Sequence, residues 1–295
     1  MNTITKNIIL APFNLLYKIN PAFELKLMFR LKQGYGLDLK NPKTYNEKLQ
    51  WIKLYDKNEW MPKCCDKYAV REYVEKMGCA DILNTLYWHG TNPDDIPYDE
   101  LPDKFVIKVT HGSTFNIIVT DKSKLDKEAT RKKLIKWLNE KFIPCYGEWF
   151  YGKVPPQIIV EKFIESSDDK QLRDYKVFCF GGIPRIVRVD TDRFTNHKMD
   201  FFTPDWERIN EAGMGYPISG RDFEKPTCLE QLLAYARKLS SPFLHARVDF
   251  YIVGNKPIFG EITFTNGAGF DKFSSYEFDL KMGSFISLPI SKTTR

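Results

Sequence analysis

Two strand-like segments near the end of the chain bring acidic and basic side chains onto one face. In the segment RVDFYI, alternation puts Arg247 and Asp249 on one face and apolar side chains on the other. In the following segment, IFGEITF, Glu261 and Thr263 share a face. If the intervening Gly-Asn turn holds about three residues, Asp249 lies opposite Glu261 and Arg247 lies opposite Thr263.

Two carboxylates opposed on a sheet repel one another. A divalent cation between them would reverse the repulsion, and carboxylate oxygens are ligands that suit Mg²⁺. The alternative interpretation is a solvated polar face on which Arg247 neutralises both acids. The hairpin by itself favours this alternative, and other segments of the chain shift the balance toward the metal.

A glycine-containing loop follows a lysine in the middle of the chain. Lys108 lies in the apolar segment FVIKV, shortly before the loop HGSTFN with Gly112 and Ser113. Such a loop between two strands can lay backbone amides over phosphates, and a neighbouring lysine can hold them. An ordinary hairpin with an outward-facing lysine is the alternative.

Charged residues also mark later strand-like segments. Glu161 follows three β-branched residues and can offer a carboxylate to an adenine edge, although an ordinary strand-end charge has the same pattern. Asp174 and Lys176 share one strand face, either as a cross-strand ion pair or as a nucleotide-facing pair.

A charged stretch downstream is the candidate substrate region. Its members Arg193, His197 and Lys198 could grip a uronic-acid or phosphate group. A solvated charged loop is the alternative.

The elements that must position these groups are short helices and strands. Residues up to about 90 read as helical, with a capping box from Thr44 to Glu47 and a helix over about 66–77 that ends at Gly78. Two further helices are predicted, over about 126–142 and 229–240. Strands are predicted over 105–109, 116–120, 157–163, 174–180, 183–190, 246–253 and 257–265. The pattern indicates an α+β fold with largely antiparallel strands.

Composition excludes some classes of protein. Of the 295 residues, 43% are hydrophobic and 28% are charged, which is typical of a globular chain. The net charge of +6 suits anionic partners, but no basic stripe or motif of a nucleic-acid binder is present, so no nucleic-acid partner is expected. Six scattered cysteines without a C-x-x-C pair indicate reduced thiols and a cytoplasmic location.

The apolar stretch over residues 8–19 is too short to span a bilayer and is broken by Pro12, Asn14 and Lys18. It is either a helix docked on the domain or an amphipathic helix on a membrane surface. Basic residues around it leave peripheral contact of residues 6–30 with the inner face of the membrane open.

Taken in order, these segments resemble the ATP-grasp superfamily, and more closely its TupA-like branch, which is found with cell-surface polysaccharide synthesis. The resemblance covers about residues 41–275. The matching segments are NPKTYNEKLQW, DKY, FVIKVTHGS, IVEKFIE, DYKVF, RFTNH, RVDFY and FGEITF.

The resemblance implies ATP and Mg²⁺ as cofactors. It implies that Lys67 and Lys108 reach the ATP phosphates and that Gly112 and Ser113 form the loop that covers them. Lys108 is also predicted to be a catalytic residue.

On the adenosine side, the resemblance assigns Glu161 to the adenine edge and backbone contacts to Lys162 and Ile164. Asp174 corresponds to the acid that holds the ribose hydroxyls, and Lys176 is counted with the nucleotide-binding residues.

For the metal, the resemblance assigns Asp249 and Glu261 as ligands and Arg247 as the catalytic arginine that steadies the acyl-phosphate and tetrahedral oxygens. Thr263 stands where these ligases commonly carry Asn, so it is an altered third ligand.

The implied organisation is a helical region over 1–65 and an ATP-grasp domain over 66–295, with nucleotide between subdomains at about 100–165 and 170–275. The first region is too short and too helical for a Rossmann-like domain. The implied activity joins a small-molecule or saccharide carboxylate to an amine through an acyl phosphate. A glycosyltransferase, an ATP-dependent sugar kinase and a non-catalytic ATP-binding protein are the alternatives.

Overall fold

The computed structural model describes residues 3–165, 172–192 and 195–289, with side chains from residue 9 onward. Its helices are Thr3–Ile19 (α1), Pro21–Gln33 (α2), Tyr45–Tyr55 (α3), Met61–Cys64 (α4), Val70–Lys76 (α5), Lys127–Leu138 (α6), Leu229–Ser240 (α7) and Tyr276–Ser284 (α8). Its strands are Leu86–Gly90 (β1), Phe105–Val109 (β2), Asn116–Val119 (β3), Ile158–Lys162 (β4), Asp174–Phe180 (β5), Ile183–Thr191 (β6), Lys198–Phe202 (β7), His245–Val253 (β8) and Lys256–Thr263 (β9).

The strands form two antiparallel sheets. A four-stranded sheet has the order β1-β4-β2-β3, and a five-stranded sheet has the order β7-β6-β5-β8-β9. The apolar side chains of β2 and β4 pack with Leu134 of α6 in one core. The second core lies between the five-stranded sheet and helices including α7, whose Leu232 and Leu239 are fully buried. The chain is therefore α+β, as its sequence predicts.

The hairpin of β8 and β9 has the predicted register, but it reaches that register by a different route. The turn holds two residues, Gly254 and Asn255, both with positive φ (52° and 65°), as a type I′ turn requires. Gly260 is then an extra residue in β9, a β-bulge that shifts the pairing by one. Asp249 consequently pairs with Glu261, and Arg247 pairs with Thr263.

Two strands correct the sequence-based prediction. The chain is not helical up to residue 90, because β1 is an edge strand paired with β4. Strand β1 has only five residues, which alternate between partly exposed and exposed positions. This is too short for the two-residue period of a strand to be recognised in the sequence. Lys198 begins β7 and does not lie in a loop, since β7 pairs with the end of β6. The capping box of α3 is confirmed: Thr44 accepts from the Glu47 backbone, and Glu47 accepts from the Thr44 backbone.

Helices α1 and α2 dock on the body of the protein through one face. Leu10, Leu25, Met28 and Phe29 are buried there with Phe270 from the far end of the chain. Among the helices of the described ranges, none has the length and apolarity needed to cross a bilayer.

Candidate active site

A cleft between the two sheets contains two adjoining cavities. The Lys108 cavity, of about 200 Å³, is lined among others by Lys108, Glu161, Ile164, Asp174, Lys176 and Asp249. The Glu148 cavity, of about 290 Å³, is lined among others by Gly112, Glu148, Tyr151, Arg247, Thr263 and Thr265. The residues that line both are Lys67, Val70, Ser113, Gly260 and Glu261. The structure therefore brings most of the residues singled out in the sequence to one continuous cleft.

A row of charged side chains crosses the five-stranded sheet on the face toward this cleft. Arg188, Lys176, Asp249 and Glu261 are successive cross-strand partners on β6, β5, β8 and β9. Lys176 Nζ donates to Asp249 Oδ2 at 2.7 Å. Lys176 is 4% exposed and Asp249 is 3% exposed. The alternative interpretation is thus wrong in describing the centre of this face as solvated, although Arg247 does contact both acids, as it also predicts.

Arg247 joins the acids of the hairpin. Its Nε donates to Asp249 Oδ1 at 2.6 Å, and its Nη2 donates to Glu261 Oε1 and Thr263 Oγ1, each at 3.0 Å. Asp249 is buried between two cations, whereas the Glu261 side chain is 50% exposed. Both acids line the Lys108 cavity, and Glu261 is the more exposed of the two.

The charges of this cluster fix its protonation. Burial alone would raise the pKa of Asp249, but Arg247 and Lys176 outweigh it and lower the pKa to about 2. Burial alone would lower the pKa of Arg247, but the carboxylates of Asp249 and Glu261 raise it above its ordinary value. The aspartate is therefore an anion and the arginine a cation at any physiological pH.

Lys176 also lies near two further acids. Its Nζ is 3.5 Å from Asp174 Oδ1 and 4.0 Å from Asp190 Oδ2. Asp190 additionally accepts a hydrogen bond from Arg188 Nη2 at 3.2 Å. The predicted cross-strand ion pair is present between Lys176 and Asp249, and both Asp174 and Lys176 line the Lys108 cavity.

The opposite wall of the cleft carries two lysines. Lys108 Nζ donates to Glu161 Oε2 at 2.7 Å, and Arg71 Nη1 lies 3.7 Å from the other oxygen of Glu161. Lys67 Nζ donates to the carbonyl oxygen of Gly112. Burial lowers the pKa of Lys67, and Glu261 opposes this effect. Lys67 therefore lies where the two cavities meet, beside the glycine-containing loop, and Lys108 lies within the Lys108 cavity.

The adenine-edge residues differ in position. Ile164 lines the Lys108 cavity with Glu161. The backbone amide of Lys162 donates to the carbonyl of Thr85, and its carbonyl accepts from Asn84 Nδ2 at 2.8 Å. The backbone groups of Lys162 thus already have partners in the four-stranded sheet.

The structure describes only part of the candidate substrate region. Arg193 lies outside the described residues. His197 Nε2 is 3.4 Å from Asp190 Oδ2, so this histidine lies next to Asp190, at the Arg188 end of the charged row. Neither His197 nor Lys198 is among the described residues that line the two cavities.

Sequence reasoning missed several residues of the cleft. Arg71 and Glu148 contact Glu161 and Thr265, which are distant in sequence, so no local spacing connects them. Asp190, by contrast, contacts Lys176 across the hairpin of β5 and β6. A signal was available for Asp190, because it alternates with Arg188 on a predicted strand. For Glu148 the sequence offers none.

The donor groups at the hairpin are of the type that binds a divalent cation such as Mg²⁺, but both oxygens of Asp249 bond to Arg247 and Lys176. Two carboxylates and a hydroxyl, from Asp249, Glu261 and Thr263, converge on Arg247 within 3.0 Å. All are oxygen donors, which Mg²⁺ prefers over nitrogen and sulfur. No cluster of three or more His, Cys, Asp or Glu side chains placed to bind a metal occurs in the described part of the chain. Any Mg²⁺ here would need oxygens from a bound phosphate or from water.

The cleft between the two sheets has a buried charged row on one wall and a lysine-flanked loop on the other, groups whose charges suit an anionic ligand. The family model described as TupA-like ATPgrasp matches residues 47–287, and the chain belongs to that family. The ATP-grasp fold predicted from the sequence is thereby confirmed. No curated protein sequence matches the chain.

The chain is also similar to solved structures of ligases, at low sequence identity and with TM-scores below 0.5. D-alanine–D-alanine ligase from Bacillus anthracis, in complex with ATP, has 17% identity and a TM-score of 0.39, over 68% of this chain and 53% of that one. The D-alanine–D-alanine ligase from Helicobacter pylori has 15% identity and a TM-score of 0.43, over 84% and 68%. The L-amino acid ligase from Bacillus licheniformis has 14% identity and a TM-score of 0.45, over 79% and 51%. The chain thus spans about half to two thirds of the length of these ligases.

Proposed function

We propose that this protein is an ADP-forming carboxylate–amine ligase that acts on an acidic saccharide of the cell surface. The observation that carries the proposal is the junction of the two cavities, where Lys67, Ser113 and Glu261 line both. A nucleotide in the Lys108 cavity would present its terminal phosphate at this junction. A carboxylate substrate in the Glu148 cavity would meet it there.

In this proposal the nucleotide lies along the wall formed by β2, β4 and β5. Lys108 and Lys67 neutralise the phosphates, and the backbone of Gly112 and Ser113 covers them. Glu161 and Ile164 contact the adenine, and Asp174 contacts the ribose. Lys162 is assigned a backbone contact with the adenine, which requires its amide or carbonyl to exchange the bond it makes to residues 84–85.

Asp249, Glu261 and Thr263 would hold Mg²⁺ at the junction. When bound, the metal neutralises the phosphates and orients the terminal phosphoryl group for transfer. Arg247 already contacts the oxygens of all three residues, so it stands beside the transferred group. Its fixed positive charge stabilises the oxygens that become more negative during the reaction.

The chemistry proceeds in two steps. A carboxylate oxygen of the substrate attacks the terminal phosphorus of ATP, the bond to the bridging oxygen breaks, and ADP leaves. The amine nitrogen then attacks the carbonyl carbon of the acyl phosphate, and phosphate leaves with the electron pair of the broken C–O bond. The residues of the cleft contribute by positioning and by charge, so no side-chain nucleophile is needed.

The test supplies Mg-ATP with candidate uronic acids and amines and follows ADP release and product mass. A substrate labelled with ¹⁸O in its carboxylate distinguishes the possible reactions. Transfer of one ¹⁸O atom to inorganic phosphate, with an amide product, is the expected result. A phosphorylated sugar formed without an amine would show a kinase, and transfer from a sugar nucleotide would show a glycosyltransferase.

The proposed location is the cytoplasm, at the inner face of the membrane. All six cysteines are free thiols, which suits a reducing compartment. The outer side of α1 and α2 exposes apolar side chains, among them Leu15 at 62%, Ile19 at 73% and Leu31 at 64%. Exposed lysines and arginines accompany them, and the acid of this pair of helices, Glu24, is buried. An anionic bilayer fits such a surface in both polarity and charge.

Sedimentation with vesicles tests this location. Binding is expected to vesicles rich in phosphatidylglycerol and to weaken on phosphatidylcholine. The combined substitution of Leu15, Ile19 and Leu31 by Gln should abolish it, while Ile118→Gln, at another exposed apolar residue, should not. Equal sedimentation of the two variants would refute membrane contact through these helices.

A further inference from the structure

The Glu148 cavity contains a carboxylate that the proposed reaction does not yet use. Glu148 follows a short 3₁₀ helix, Pro144–Tyr146, and lines the same cavity as Arg247 and Gly112. Its Oε1 accepts a hydrogen bond from Thr265 Oγ1 at 2.5 Å. Thr265 lies two residues beyond the end of β9, so the hairpin that carries Glu261 also anchors this carboxylate.

The lining of this cavity carries groups of both charges. Lys67, Arg247 and the backbone of the glycine-containing loop suit an anion. Glu148 lines the same cavity with Phe142 and Tyr151, whose stacked rings have centroids 4.4 Å apart. A carboxylate next to aromatic rings is suited to a cation, through an ion pair and cation–π attraction.

A buried lysine, Lys53, contacts the backbone next to Glu148 and Thr265. Lys53 is 1% exposed and donates to the carbonyls of Tyr146 and Ala268, at 2.6 and 2.7 Å. These carbonyls belong to the two segments that flank Glu148 and Thr265. Burial raises the pKa of Glu148 and lowers that of Lys53, and the attraction between their opposite charges opposes both shifts. Lys53 thus holds the loops in place while Glu148 remains on the cavity wall.

We propose that Glu148 binds the ammonium group of the amine substrate, which is a small primary amine carrying a positive charge. This inference rests on the proposed ligase function and names the second substrate of that site. Glu148 accepts one proton from the ammonium group, and the freed nitrogen lone pair attacks the acyl-phosphate carbon beside Arg247. The C–O bond to phosphate breaks, and the nitrogen gives its second proton to the departing phosphate.

The experiment uses the purified 295-residue chain with glucuronic acid as the carboxylate, and it compares two nucleophiles, ethanolamine as the cationic amine and hydroxylamine. Hydroxylamine is largely uncharged near neutral pH, and it traps an acyl phosphate as a hydroxamate. The variant E148Q should lower kcat/KM for the cationic amine by about 10²-fold, through a higher KM. With hydroxylamine its loss should be less than about tenfold, because a neutral nucleophile needs no carboxylate. E148D should recover part of the activity with the amine.

A matched control removes an exposed glutamate elsewhere: Glu128 lies on the surface of α6, and E128Q should behave as the wild type with both nucleophiles. Equal losses of E148Q with the two nucleophiles would overturn the inference, as would no loss with the amine. If the wild type itself forms no hydroxamate and releases no ADP, the ligase proposal fails first, which separates the two failures. Urea unfolding of E148Q identifies a variant that has merely lost its fold.

Discussion

On the five-stranded sheet the charged groups of the cleft come from the middles of strands, whereas the four-stranded sheet offers them near a strand end and from a loop. Asp249 is 3% exposed and bonded to two cations. Lys108, on the other wall, has a side chain that is 27% exposed and pairs with one acid. Substitutions in the wall of the five-stranded sheet should therefore lower both stability and turnover. Substitutions in the wall of the four-stranded sheet should lower turnover with a smaller loss of stability.

The largest effect is expected from Asp249→Asn. The change leaves Arg247 and Lys176 buried without their shared anion, so the free energy of unfolding should fall by about 3–5 kcal/mol. Turnover should fall by about 10³-fold or more, because a proposed metal ligand is lost as well. Urea unfolding and the ADP-release assay measure the two losses.

The matched control for this change is Glu261→Gln on the neighbouring strand. Glu261 is half exposed, so its replacement should cost less than about 1 kcal/mol of stability while still lowering turnover. Equal destabilisation by the two variants would show that burial does not distinguish these acids.

On the four-stranded sheet, Lys108→Met should raise the KM for ATP by about 10²-fold. Glu161 keeps a cationic neighbour in Arg71, 3.7 Å away, so stability should change by about 1 kcal/mol or less. Initial rates at varied ATP, together with urea unfolding, check both values. If Lys108→Met lost as much stability as Asp249→Asn, the two walls would not differ in their contribution to stability.

The pH dependence of stability sharpens the same contrast. The pKa of Asp249 falls from an ordinary 3.8 to about 2 in the folded protein. Its carboxylate therefore contributes stability that is present above the unfolded pKa and is lost as the pH falls through the folded one. The stability gap between wild type and Asp249→Asn should narrow by about 2 kcal/mol between about pH 5 and pH 2. A constant gap in urea unfolding at the two pH values would contradict the assigned charges.

The sequence predicts the wall built from mid-strand residues better than the wall built from loops. Alternation along β8 and β9 fixes which side chains share a face, and the predicted pairs of Asp249 with Glu261 and of Arg247 with Thr263 are confirmed. The position of Glu148 depends on contacts between segments more than 100 residues apart, since its partner is Thr265. No local period encodes such a contact.

The turn of the hairpin shows how a correct register can rest on a wrong detail. A three-residue loop and a two-residue turn followed by a bulge give the same pairing at Asp249, so periodicity cannot separate them. Likewise, the sequence does not predict β1, because a strand of five residues at the edge of a sheet is too short to show a clear alternation of apolar and polar residues. Sequence thus predicts the faces of long strands, while folding context decides turns, bulges and edges.

The smallest expected effect tests the bulge itself. A Cβ atom on Gly260 would lie 3.0 Å from the backbone carbonyl oxygen of Asp249, closer than ordinary contact. Gly260→Ala should therefore push the two strands apart at the acid pair, lowering turnover by about tenfold and stability by about 1 kcal/mol. Gly36→Ala, at a glycine with open space around it and no positive φ, is the control and should leave turnover unchanged. If Gly260→Ala reacts at the wild-type rate, the spacing of Asp249 and Glu261 tolerates change. Turnover would then depend no more strongly on the geometry of the five-stranded sheet than on that of the loop opposite it.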